Sequence, residues 1–424
     1  MKKNKLGILV MMLCLLALVG CKEKNSPTTE APKATEATNT ETTTEAEGGD
    51  EINLTKDPSQ LEDVVLEDLA KEYVSHMTLE EKVGQMFLVN IEQLEPAAGK
   101  TYQYKNMTDT MKKNMQRYPV GGVILFARNI KTRSQTMEFI KNMQELSATP
   151  MYIGVDEEGG TISRIASNPK MKTTQFPNMS VIGVENDEER AFEVGDTIGK
   201  EIKALGFNLD FAPVADINTN PNSPEIGDRS FGSDKDLVAK MVTQVVKGLQ
   251  GQNVSATLKH FPGHGDAATD THKGYASITH NIKRLRKVEF VPFQAGIEAG
   301  ADFVMVSHVV LTELVTDETP SSLSKLIVTD ILRNELGYEN IIITDAMNMK
   351  AITNFYKPEE AAKKAVLAGV DMILMPEDLP KAYYAVLEAV EKDEISEKRI
   401  DKSVVRIIKL KMKRGIIPIE ESRD

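Results

Sequence analysis

The run Lys259-His-Phe-Pro-Gly-His-Gly-Asp-Ala-Ala-Thr-Asp-Thr-His272 concentrates groups that hold, give and take protons. Of six histidines in the chain, His260, His264, His272, His280 and His308 lie in this run or shortly after it. Gly263 and Gly265 permit a tight, mobile loop directly behind an apolar segment. Asp270 and His272 are two residues apart. At that spacing in a loop, a carboxylate holds one imidazole nitrogen while the other faces a substrate. Such a pair raises the basicity of the ring and fixes its tautomer, as proton transfer requires. Other chemically able groups end apolar runs or follow them directly: Asp156, Asp216, Lys259-His260, Ser307-His308 and Asp345. Loops are polar in any case, which would explain one or two of these. All of them together point to convergence on one site. His264 and Asp266 read as loop-shaping groups, Glu157 and Glu158 as flanks of a glycine turn with a role as acids the alternative, and His76 and His280 as ordinary residues. His308 is a candidate for lining the site.

The elements that would position these groups are legible as apolar runs. They are Met86–Ile91, Val120–Phe126, Met151–Val155, Leu209–Val214, Ala256–Leu258, Phe303–Val306, Ile341–Ile343 and Met372–Met375. Several are apolar throughout, as strands buried on both faces are. Helical patterns separate them, among them Asp187–Leu205, Asp236–Leu249 and Arg284–Ala299. Thr78-Leu-Glu-Glu81 reads as a capping box. A last helix would carry Ile400, Val404, Ile407 and Ile408 on one face and stop at Gly415. Eight strands alternating with helices predict an α/β fold, a (β/α)8 TIM-type barrel over residues 58–418, with an open doubly wound sheet as the alternative. The barrel is favoured because its strands share one C-terminal rim, where the polar groups would meet.

The chain has 424 residues, a formal charge of −12, 41% hydrophobic residues, two cysteines and no Trp. This excludes a mostly disordered chain and a disulfide scaffold, and an acidic protein is a poor electrostatic partner for nucleic acid or anionic membrane. The absence of Trp argues against an appended sugar-stacking module. Lys2, Lys3 and Lys5 precede an apolar run, Leu6–Val19, that is too short to span a membrane and has the length of a signal core. It ends Leu18-Val19-Gly20-Cys21, which resembles the lipobox of bacterial lipoproteins. Residues 1–20 are therefore expected to be a signal peptide and Cys21 a lipidation site, anchoring an exported protein to the outer face of the cell membrane. A plain secretory signal is the alternative. Residues 21–57, rich in Thr, Glu, Ala and Pro, read as a flexible tether. No sequence signal bears on oligomeric state.

Lys259–His272 resembles the signature loop of the glycoside hydrolase family 3 β-N-acetylglucosaminidases. Further segments resemble the same family in order: Met77–Met86, Val155-Asp-Glu-Glu-Gly-Gly160 with Arg164, Asp228-Arg229-Ser-Phe-Gly232, Ile343–Met349 and Arg399–Ile407. The resemblance covers residues 68–414. Ala267 stands where the family usually has Thr, and Thr271 where it has Ser, so the hydrogen bonding of the loop is expected to differ. The resemblance implies a retaining hydrolase without cofactor or metal. Asp345 would be the nucleophile, and His272, oriented by Asp270, the acid and then the base. Asp156, Arg164, Arg229, Lys259 and His260 would hold the hydroxyls and acetamido group of a terminal N-acetylglucosamine, on cell-wall or chitin-type oligosaccharides.

Four competing readings stand beside this one. Phosphate could replace water as acceptor, because an imidazole, unlike a carboxylate, does not repel it. A two-domain β-glucosidase of the wider family would need a second domain, for which the chain leaves no room after the eighth strand. A metal-dependent hydrolase would use His260, His264, Asp266 and His272 as ligands, against the repulsion of Lys259. A non-catalytic sugar-binding lipoprotein would be expected to carry more than the 5% aromatic residues found here.

Overall fold

The structure, a computed structural model, describes residues 62–96 and 103–419. The expected signal at 1–20, Cys21 and the tether at 21–57 lie outside the described residues. The apolar runs form eight strands: β1 Phe87–Asn90, β2 Gly122–Ile124, β3 Tyr152–Val155, β4 Leu209–Asp210, β5 Ser255–Phe261, β6 Phe303–Val306, β7 Ile341–Thr344 and β8 Ile373–Leu374. Each pairs in parallel with its neighbours in sequence, and β1 pairs with β8 through Phe87–Ile373 and Leu88–Leu374. A bridge between Ile343 and Met372 joins β7 to β8, so the ring closes and the open sheet is excluded.

Alternate strand residues fill the interior. Leu209 and Phe211, Phe303 and Met305, Ile341 and Ile343, and Met372 and Leu374 meet Leu88, Ile124 and Tyr152 in one cluster, none more than 3% exposed. Burying each such side chain stabilises the fold by about 1.5–3 kcal/mol. The rings of Tyr152 and Phe303 pack edge to face at 5.0 Å. The helix Glu397–Lys413, capped by Ser396, lays Ile400, Val404, Ile407 and Ile408 inward, and the chain turns at Gly415 with φ +66°. The capping box at Thr78 forms as the sequence indicates, with Thr78 N–H donating to Glu81 Oε2 at 2.9 Å.

Three boundaries differ from the sequence reading, each for a local reason. β4 is short because Pro213 has no N–H to give to a ladder, although Val214 still bridges Lys259. β5 runs on to Phe261, so Lys259 and His260 are strand residues rather than loop residues. The helix expected over 284–299 breaks into Ile282–Lys287 and Phe290–Glu298. Pro292 cannot donate to the carbonyl of Val288, and its ring would collide with it, so the break falls there.

Candidate active site

The C-terminal ends of the strands deliver the site. Asp156 follows β3, Asp216 follows the extended segment after β4, Ser307-His308 follow β6 and Asp345 follows β7. Behind β3 the chain folds into a small hairpin, Glu157–Gly159 with Ile162–Ser163, turned by Gly159 and Gly160 at φ +91° and +59°. A side chain at Gly160 would place its Cβ 2.1 Å from Asn178 Oδ1, so only glycine fits.

This hairpin aims Glu158 at two cations. Lys259 Nζ lies 2.5 Å from Glu158 Oε1 and 3.2 Å from Asp156 Oδ1. Arg229 donates from Nε and Nη2 to the two oxygens of Glu158 at 2.9 and 2.7 Å, and from Nη1 to the Glu225 carbonyl at 2.9 Å. Burial opposes the Glu158 charge, but Lys259 and Arg229 more than offset it and hold its pKa at about 2. Burial likewise disfavours the Lys259 ammonium, yet Glu158 and Asp156 keep its pKa above the ordinary value. Arg164 sits at the edge of this cluster, Nη2 3.8 Å from Asp156 Oδ2, with its buried Nε lacking a protein partner among the described residues. Glu157 points away. It accepts from the Ile165 and Ala166 amides at 2.7 and 2.9 Å, and burial pushes its carboxyl up to about 7.

A second network carries the imidazoles. Asp216 accepts from His260 Nδ1 at 2.6 Å and from the His260 and His264 amides at 3.0 and 2.6 Å. This leaves His260 Nε2 open, among the described residues. His264 Nε2 lies 3.2 Å from Glu225 Oε2. Glu225 also accepts from the amide and hydroxyl of Thr271, each at 3.1 Å, and lies 3.2 Å from His272 Nδ1. Asp270 Oδ1 accepts from both the amide and Nδ1 of His272, at 2.8 and 3.0 Å. With Nδ1 facing two carboxylates, the proton belongs there; Nε2 has no protein partner among the described residues, and the His272 side chain is 62% exposed. The bond from Glu225 is the main cause that raises the His272 pKa. Burial opposes it, the charges of Glu225, Asp345 and Asp270 add to it, and the result is about 9. Burial disfavours the Glu225 carboxylate, but these imidazoles hold its pKa well below the usual carboxylate range.

Asp345 is 8% exposed. Its Oδ1 accepts from the Ala346 amide at 2.7 Å, and among the described residues it enters no ion pair. Burial works to raise its pKa, but the His260 and His308 imidazoles and the Ala346 amide outweigh this and hold it below its ordinary value. His308 lies beside it. Nε2 donates to the Ala346 carbonyl at 3.1 Å and Nδ1 accepts from Ser322 at 2.8 Å, which suits the neutral ring that burial favours.

The structure thus brings Asp156, Arg164, Arg229 and Lys259 into one cluster, joined through Glu225 to the network of His260, His272 and Asp270. Sequence reasoning treated Glu158 as a turn flank and passed over Glu225. The available signal for Glu225 was its position four residues before Arg229, an acid between Pro224 and Ile226. The four ligands of the metal alternative do not converge: His260 bonds Asp216, His264 bonds Glu225, and Asp266 lies 3.0 Å from His280. Donor atoms of Glu225, Asp270 and His272 do lie within 4.8 Å of one another. The Nδ1 proton shared between the two carboxylates satisfies all three groups without an ion.

Residues 78–410 match the family model described as glycosyl hydrolase family 3 N terminal domain. A "Beta-hexosaminidase A" of Pseudoalteromonas piscicida is 31% identical over 369 residues, 80% of this chain and 61% of that protein. A "Beta-hexosaminidase" of Nitrosomonas eutropha is 34% identical over 278 residues, 64% of this chain and 78% of that one. The solved glycoside hydrolase family 3 β-N-acetylglucosaminidase from Paenibacillus sp. str. FPU-7 superposes with a TM-score of 0.75 at 37% identity, over 82% of this chain and 65% of that chain. The chain therefore spans less than two thirds of the length of the first of these relatives and of the solved structure.

Proposed function

The chain belongs to glycosyl hydrolase family 3, and from that premise we propose that it is an exo-acting, retaining β-N-acetylglucosaminidase. It removes terminal non-reducing N-acetylglucosamine from cell-wall or chitin-type oligosaccharides. The observation that carries the reading is an Asp345 that enters no ion pair among the described residues, together with an imidazole whose Nδ1 is pinned and whose Nε2 has no partner among them. In the first step Asp345 attacks the anomeric carbon while His272 Nε2 gives its proton to the leaving oxygen, producing a glycosyl ester and a free alcohol. Esterification removes the Asp345 charge, which had favoured the imidazolium. The neutral ring then takes a proton from water as the water attacks, releasing the sugar and restoring both groups.

Asp156, Lys259, Arg229 and His260 Nε2 hold the hydroxyls and acetamido group of the bound sugar. The unsatisfied Arg164 Nε supports this role, since a buried donor without a partner favours an acceptor from substrate. The N-terminal segment, outside the described residues, exports the protein and anchors it by lipid on Cys21. Loss of label from metabolically supplied fatty acid in Cys21→Ser tests that part.

The test of activity is a panel of aryl N-acetylglucosaminide, glucoside and xyloside, with and without phosphate. Release of free N-acetylglucosamine in phosphate buffer is expected, and N-acetylglucosamine 1-phosphate as the main product would replace hydrolysis with phosphorolysis. Asp345→Asn is expected to lower kcat at least about 1,000-fold, equivalent to about 4 kcal/mol of barrier, with normal folding by circular dichroism. Near-normal turnover would refute the nucleophile.

A further inference from the structure

Glu225 is the most heavily used carboxylate of the site that the reaction above does not employ. Its side chain is 5% exposed; it accepts from Thr271 N–H and Thr271 Oγ1 and lies 3.2 Å from both His264 Nε2 and His272 Nδ1. Three of these belong to the Thr271-His272 dipeptide or bind through its side chains. Glu225 itself lies 46 residues earlier, in the loop that follows β4. That loop is fastened in turn, because Arg229, held by Glu158, donates to the Glu225 carbonyl at 2.9 Å.

The other attachments of the segment carrying His272, among the described residues, are few: His264 Nε2 meets Thr271 Oγ1 at 3.3 Å, and downstream Ser277–Ile278 pairs with Val310–Leu311. The Ala351 amide donates to the Thr271 carbonyl at 3.2 Å, and among the described residues Asp270 bonds only within its own turn and to Lys273 at 3.5 Å. Asp270 therefore orients the ring relative to its own loop. It does not fix the loop relative to Asp345.

We propose that Glu225 is the positioning residue of the acid/base: it ties the Thr271-His272 segment to the sugar-binding cluster and fixes where His272 Nε2 meets the glycosidic oxygen. The proposal rests on His272 being the acid/base. Glu225 is a positioning group and not a reacting one, since its oxygens are already engaged by protein donors. The groups facing the His272 ring are Glu225 from the loop after β4, Asp270 and Lys273 from its own loop, Asp345 from the end of β7 and, across Glu225, His264. Three of these are anions, and Glu225 is the one whose removal also unfastens the segment.

Glu225→Gln keeps the size of the side chain but removes the charge and turns one acceptor into a donor. Its kcat/KM on an unactivated N-acetylglucosamine disaccharide is expected to fall at least about tenfold more than on a dinitrophenyl N-acetylglucosaminide, whose leaving group needs little acid. The basic limb of its pH profile is expected to move to lower pH by at least about one unit, and hydrogen exchange over residues 268–275 to quicken. Glu225→Asp, which keeps the charge, is expected to recover part of the limb shift. An unchanged ratio between substrates together with an unmoved basic limb, in either variant that folds, would overturn the proposal. His272→Ala is the control for the underlying reading. If it shows the leaving-group dependence and Glu225→Gln does not, only the role of Glu225 fails. If His272→Ala itself lacks that dependence, the acid/base assignment and the proposal built on it fail together.

Discussion

In the proposed mechanism His272 and Asp345 have opposite charge requirements, and their surroundings favour both. Asp345 must be ionised to attack, so activity is lost as pH falls through its pKa, which lies below the ordinary 3.8. His272 must be protonated for the first step, so activity is lost as pH rises through about 9. A plot of kcat/KM against pH is therefore expected to be broad, with its basic limb near pH 9. A limb near 6.5, the value of a free imidazole, would mean that neither carboxylate engages the ring in solution. Lys259 and Arg229 with Glu158 and Asp156 form a unit of two cations and two anions. On the proposed reading, a sugar entering it would exchange hydrogen bonds with groups already aligned, so little reorganisation would accompany binding.

At the scale of elements, the strands supply direction and the loops supply contact. Gly265 shows how closely two of those loops approach, because a Cβ there would lie 1.8 Å from the Ile217 carbonyl oxygen. Gly265→Ala must separate the loop bearing His264 from the one bearing Asp216. It is expected to lower kcat/KM at least about tenfold through misplacement alone. Gly251 ends the helix Lys235–Gly251 with nothing within 4 Å of its would-be Cβ. Gly251→Ala is expected to leave kinetics unchanged and raise stability by up to about 1 kcal/mol, read by thermal melting. The same distinction explains what the sequence revealed. Strand cores such as Phe303–Val306 and the polar residues at their ends were legible because burial and periodicity are local. The tie between Glu225 and Thr271, and the pairing of Glu158 with Arg229 across 71 positions, depend on where loops meet after the ring closes. Neither leaves a periodic trace. The break before Phe290 was readable in principle, because Pro292 announces it.

Across the whole molecule the two ends of the barrel do different work. At the N-terminal end, Asp302 ahead of β6 accepts from Arg414 at 2.6 and 2.9 Å and from Ser255 at 2.7 Å. Asp371 ahead of β8 accepts from Arg333 at 2.6 Å and from the Ile342 amide at 3.0 Å. These fully buried carboxylates join helices to strands far from Asp345. Asp371→Asn leaves Arg333 without its counter-charge, and is expected to cost about 3–5 kcal/mol by urea unfolding with kinetic constants unchanged. A matching loss of kcat would show that the two ends are coupled.

The proposed nucleophile and acid/base are also anchored with unequal strength. Asp345 continues a ladder, its amide on Val306 at 2.8 Å, whereas His272 rides on a loop held by Glu225, His264 and the Ala351 amide rather than by a strand. Segments with few ties come loose before strands do. Under mild denaturing stress the protein would therefore lose its means of letting go before its means of taking hold. Given a reactive donor at that moment, it would become a snare, with one sugar left on each chain as a record of the stress.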